Sequence, residues 1–70
     1  MSIFAQRMRE LRHEKGRTQT QMAELIGIKL RAYQNYESGT SYPEIPNLMM
    51  LADYFDVTTD YLLGRSEERK

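Results

Sequence analysis

TQTQMAELIGIKLRAYQNYESG, residues 18–39, holds two helices and the turn between them. Thr18 followed three residues later by Gln21 is a capping box, in which each side chain satisfies a backbone N–H that a helix start leaves unpaired. A helix therefore begins at Gln19. Met22, Ala23 and Ile26 give it an apolar stripe, while Gln19, Thr20, Gln21 and Glu24 keep the other directions polar. Gly27 tolerates the positive φ at which a helix stops, and Ile28 sets an apolar anchor directly after it. From Lys29 a second periodic run turns Tyr33 and Tyr36 inward, leaves Leu30, Arg31, Gln34 and Asn35 on other faces, and ends at Gly39. Two short helices joined by a tight turn are how a small protein lays one row of side chains in the major groove of DNA.

The flanking sequence is helical too. Phe4, Met8 and Leu11 repeat at i, i+4 and i+7, which predicts a first helix from Ile3 to about Lys15, with Ser2 as its cap and Gly16 as its end. Residues 39–44 are rich in turn formers and read as a loop. A fourth helix is expected over Ile45 to Phe55, because Pro46 is tolerated in a first turn and Leu48, Leu51, Ala52 and Phe55 recur at helical spacing. A short fifth follows, with Thr58 as cap, Asp60 in its first turn, Tyr61 and Leu62 facing in, and Gly64 closing it. No segment alternates with period 2 over a useful length. The expected fold is all-α, a compact five-helix domain over residues 1–64, followed by a charged tail, 65–70, that is expected to fray.

Seventy residues sit near the lower limit for a stable core, and without cysteine there is neither a disulfide nor a thiolate metal site to help. The longest apolar run, Leu48 to Ala52, falls far short of the roughly 20 residues that span a bilayer. The start, Met1-Ser2-Ile3-Phe4, leads into charge rather than into a signal-peptide core, so a cytoplasmic protein with no membrane partner is expected. With one histidine, His13, the ligand count for a metal fails, and neither metal nor cofactor is expected. No nucleophile, base and carboxylate set and no phosphate-cradling glycine loop can be assigned, which speaks against an enzyme. Tyr33, Tyr36, Tyr54 and Tyr61 fall at helical spacing and read as core or rim residues rather than as platforms for stacked bases.

Net charge is zero, which taken alone argues against nucleic acid, since phosphate neutralisation supplies most of such affinity. Its distribution argues the other way. Residues 1–35 carry seven Lys and Arg against three Glu, and residues 36–70 carry three against seven Asp and Glu, so the half with the second helix of the pair is basic and the other acidic. Such a dipole orients a protein on a polyanion.

The chain resembles the Xre-type helix-turn-helix family, the lambda-repressor-like DNA-binding domains of phage and bacterial regulators. The likeness runs from about Phe4 to Leu63 through Arg12, Thr18-Gln19, Met22-Ala23, Gly27-Ile28, Tyr36-Glu37-Ser38-Gly39, Pro43, Leu48, Leu51-Ala52 and the closing Val57 to Leu63. A lone helix-turn-helix pattern is a weak signal, whereas this ordered set across five helices is specific. The resemblance implies a sequence-specific double-stranded DNA-binding regulator, a repressor acting as a homodimer on an inverted-repeat operator. It makes Gln19 a phosphate contact at a helix N-terminus, and Leu30, Arg31, Ala32, Gln34 and Asn35 the groove-facing positions. Arg31 suits guanine, Asn35 or Gln34 suits adenine, and Leu30 or Ala32 a thymine methyl. Lys29 and Arg17 lie beside them in the basic row, Tyr42 is placed to brush the DNA backbone, and Arg12 is expected to pair structurally with Glu37. Dimer contacts are expected from the fifth helix and the loop before the fourth, with Tyr61 and Leu63 as candidates. The competing reading is a protein-interaction module such as the antitoxin of a toxin pair. The chain departs from the family at Lys29, where serine or threonine usually caps the reading helix, and at Leu30, which is polar in many relatives.

Overall fold

Three of the helices start on a hydroxyl. Ser2 Oγ accepts the Ala5 N–H at 3.0 Å, Thr18 Oγ1 that of Gln21 at 3.0 Å, and Thr58 Oγ1 that of Tyr61 at 2.9 Å. The Thr18 box is reciprocal, since Gln21 Oε1 accepts the Thr18 N–H at 2.9 Å. The computed structural model describes residues 2–70, and its helices in chain order are α1 (Ile3–Glu14), α2 (Gln19–Ile26), α3 (Leu30–Ser38), α4 (Ile45–Phe55) and α5 (Thr59–Leu63). There is no strand among the described residues. Lys15 and Lys29 stand as caps outside α1 and α3 rather than inside them.

Phe4, Met8, Met22, Tyr33, Leu51 and Leu62 are the largest fully buried side chains, drawn from all five helices. The Phe, Met and Leu side chains each contribute on the order of 1.5–3 kcal/mol by leaving water. α1 packs on α3 and α5, α2 on α3 and α4, and α4 on α5, within 29 × 22 × 22 Å. The α2–α3 turn relies on Gly27 at φ +82°, after which the N–H groups of Gly27 and Ile28 both donate to Ala23 O, at 2.9 and 3.0 Å. That doubled bond closes α2 tightly enough for α3 to leave at once. Gly64, also at φ +82°, lets α5 close on α1, because an added Cβ would lie 3.0 Å from Ile3 Cγ2. α4 ends on Asp56 at φ 57°, a left-handed position that aspartate tolerates better than most side chains.

The tail departs from expectation. Instead of fraying, residues 65–70 fold back across α1 and α5. Arg69 grips Glu14 with two hydrogen bonds of 2.9 and 2.7 Å, Arg69 O accepts the Thr58 N–H at 2.7 Å, and Lys70 Nζ lies 2.7 Å from Asp56. Arg7 turns inward and donates to Ser66 O at 2.8 Å and to Tyr61 O, with its guanidinium 4.0 Å from the centre of the Tyr61 ring. Tyr61 is therefore covered, at 8% exposure, and of the two dimer candidates on α5 only Leu63, at 40%, offers free surface.

Candidate nucleic-acid interface

α3 presents two sides. Tyr33, Tyr36 and Glu37 are buried against the body, whereas Leu30 and Arg31 are exposed and Gln34 and Asn35 partly so. At about 100° per residue these four share one strip along the helix. Ala32, expected in the same group, lies about 200° around from Leu30 and so falls at the margin of the strip rather than within it. Arg31 has no hydrogen-bond or ion-pair partner among the described residues, which leaves its guanidinium available.

Behind the strip sits a polar hub that sequence reading saw only in part. The expected pair is present: Arg12 Nε donates to Glu37 Oε2 at 2.7 Å and Arg12 Nη2 to Oε1 at 3.1 Å. Tyr33 donates its hydroxyl to Glu37 Oε2, and Gln19 Nε2 donates to Oε1 at 3.2 Å. Burial pushes the Glu37 carboxyl up, but the donors from Arg12, Tyr33 and Gln19 outweigh it and hold the group below the usual carboxylate range. Burial, with the Glu37 bond next, drives the Tyr33 phenol far above its ordinary value. Arg12 Nη1 also donates to Arg17 O at 3.0 Å, which ties the end of α1 to the turn leading into α2. Arg9 Nη1 donates to the Glu37 carbonyl at 2.6 Å. No buried side-chain nitrogen or oxygen among the described residues lacks a partner. The hydroxyl of Tyr33 and the amide of Gln19 were missed because each satisfied another reading, one as core, the other as a phosphate contact.

The hub reaches the surface through Gln19, whose Oε1 accepts a hydrogen bond from Gln34 Nε2 at 3.3 Å. One member of the outward strip is thus tethered to the start of α2. Arg17 is held near by, donating from Nε to the Tyr54 hydroxyl at 2.8 Å, with its side chain over a shallow cleft that Leu25 and Glu24 also line. Tyr42 is 60% exposed, with its ring tilted against that of Phe4 at a centroid distance of 5.4 Å.

Lys29 holds the N-cap position of α3 at φ −73° and ψ 150°, and its side chain makes no capping hydrogen bond. The backbone is already in the form that a serine cap adopts. Lys29→Ser is expected to stabilise the fold by about 1 kcal/mol, because the hydroxyl gains a free α3 N–H, and to raise Tm by roughly 4–8 °C. A thermal melt that shows no rise overturns the assignment of a missing cap.

A family model described as helix-turn-helix matches residues 8–62, which takes in α2, the turn and α3 together with the Arg12–Glu37 pair. The chain belongs to the Xre-type helix-turn-helix family. Two relatives of this helix-turn-helix chain are the HTH-type transcriptional regulator AnsR of Bacillus subtilis, 44% identical over 91% of this chain and 55% of its own, and the cryptic phage CTXphi transcriptional repressor RstR of Vibrio cholerae, 42% identical over 86% and 54%. A transcriptional regulator from Listeria innocua superposes with a TM-score of 0.85 at 37% identity, over 93% of this chain and 61% of that one. The chain spans about half the length of the curated relatives it matches. These relatives of the helix-turn-helix domain are regulators by name, in a family that is not enzymatic. No described helix is long and apolar enough to cross a membrane.

Proposed function

We propose that this helix-turn-helix chain is the DNA-binding part of a cytoplasmic transcriptional repressor, which binds an inverted-repeat operator as a homodimer with α3 in the major groove. The exposed strip of Leu30, Arg31, Gln34 and Asn35 beside the N-terminus of α2 carries the reading. Arg31 offers the planar fork that matches guanine O6 and N7, Leu30 an apolar contact for a thymine methyl, and the α2 N-terminus a place for a phosphate. Arg17 and Lys29 extend the cationic rim. Arg12, by contrast, is spent inside on Glu37 and adds nothing to the outer field. Repression by occupying the site that polymerase needs fits the name of RstR as a transcriptional repressor.

Self-association draws on exposed apolar side chains at the loop before α4 and on its outer face, Tyr42, Ile45 and Met49, with Leu63 of α5. A two-fold pair of reading helices places half-sites about one helical turn, roughly 34–36 Å, apart. Selection of bound fragments from a random double-stranded DNA pool is expected to enrich a two-fold symmetric sequence, with a sedimentation mass on that DNA corresponding to two chains. An enriched site without symmetry removes the dimer from the reading, and no enriched site removes DNA readout.

A further inference from the structure

We infer that Glu37, acting through Gln19, sets the direction in which Gln34 presents its amide to the groove, and that Gln34 in consequence reads adenine. The inference rests on the proposed binding of α3 in the major groove. Carboxylate oxygens only accept hydrogen bonds, whereas an amide has a donating and an accepting end. Glu37 Oε1 therefore faces the nitrogen end of Gln19, at 3.2 Å, and leaves the oxygen end of Gln19 facing Gln34 Nε2, at 3.3 Å. A flipped Gln19 would set two acceptors against each other at Glu37 and two donors against each other at Gln34. The two amides can reverse only together, and the charge on Glu37 opposes that reversal.

Glu37 itself has no freedom to yield. Its other contacts are the Arg12 guanidinium and the Tyr33 hydroxyl, and it is 4% exposed. With one N–H of Gln34 committed to Gln19, the side chain still holds a second N–H and its Oε1 on the partly exposed face of α3. One donor and one acceptor, in that fixed order, are what the N7 and N6 groups of adenine require, and guanine with two acceptors does not match. Reversing the order reverses the groove direction in which adenine fits. Glu37 is thus a positioning residue for base preference, in addition to its place in the fold.

The test is selection from a random double-stranded DNA pool with the full chain and with its Gln34→Ala, Gln19→Ala and Glu37→Gln forms. Gln34→Ala is expected to erase preference at one A·T base pair of the wild-type site. Gln19→Ala and Glu37→Gln are expected to lower discrimination at that same base pair roughly tenfold, with preference elsewhere in the site retained. A phosphate contact alone would make Gln19→Ala weaken every sequence alike and leave preference untouched. Gln19→Ala keeps Arg12, Tyr33 and Glu37 together, so it carries the test even where Glu37→Gln fails to fold. The relay is overturned if Gln19→Ala keeps wild-type discrimination at that base pair, or if the base pair that Gln34→Ala erases is not A·T. A wild-type chain that enriches no sequence overturns the DNA reading and the relay together.

Discussion

Arg12→Ala is expected to destabilise the fold by about 3–5 kcal/mol, since it strands a buried carboxylate without its charged partner. At about 4–8 °C per kcal/mol for a domain of this size, Tm falls by at least roughly 12 °C. The loss is large against a total stability on the order of 3–10 kcal/mol for a chain of this length. Glu37 is 4% exposed, and among the described residues Arg12 supplies two of the four hydrogen bonds to its carboxylate, the other two being neutral donors from Tyr33 and Gln19. The pH dependence carries a sign. In the wild type, Glu37 is held below the usual carboxylate range, so its stabilisation is complete above the unfolded value of about 4.3 and is lost as pH falls through the lower folded value. Without Arg12 the burial penalty is no longer outweighed by charge, the carboxyl moves upward, and the deficit against wild type narrows in acid. Thermal melts of both proteins between neutral and acid pH read this directly. Equal Tm at neutral pH would sink the ion-pair assignment, and a deficit independent of pH would place its origin outside Glu37.

Arg31→Ala is expected to cost about 1–3 kcal/mol of DNA-binding free energy and to relax preference at a guanine, which is roughly 5- to 150-fold in Kd. Arg31 is exposed and without a partner among the described residues, so its removal should leave Tm where it was. That separation distinguishes it from Arg12, whose loss acts on the fold. Anisotropy titrations on the selected site and on its single-base variants provide the check. Affinity and base preference both equal to wild type would show that α3 does not enter the groove along the strip that carries Arg31.

Much of the architecture was legible from local signals. Ser2, Thr18 and Thr58 each mark a helix start because a hydroxyl there satisfies an N–H within the same few residues. Gly27 and Gly64 mark ends for the equally local reason of a left-handed backbone. The end of α4 lacked such a mark, since Asp56 takes that conformation without being glycine. The tail was misjudged because its order comes from contacts outside its own six residues, with Arg7 and Glu14 more than 50 positions away and with Thr58 and Asp56 nearer in the chain.

The site divides along the same line. Periodicity alone sorted α3 into an inward row, Tyr33 and Tyr36, and an outward one that contains Arg31, Gln34 and Asn35, because a helix of 3.6 residues per turn leaves no other choice. Family likeness matched Arg12 to Glu37 across 25 positions. What the sequence by itself determined is thus the set of helices, the basic half and the side of α3 that faces out. Only the tertiary structure decided that Arg7 is withdrawn from the surface, and that Glu37, Gln19 and Gln34 stand in one line from the core outward. Hydrogen bonds between side chains depend on positions set to a few tenths of an ångström by packing, and no pattern along the chain encodes a distance across it.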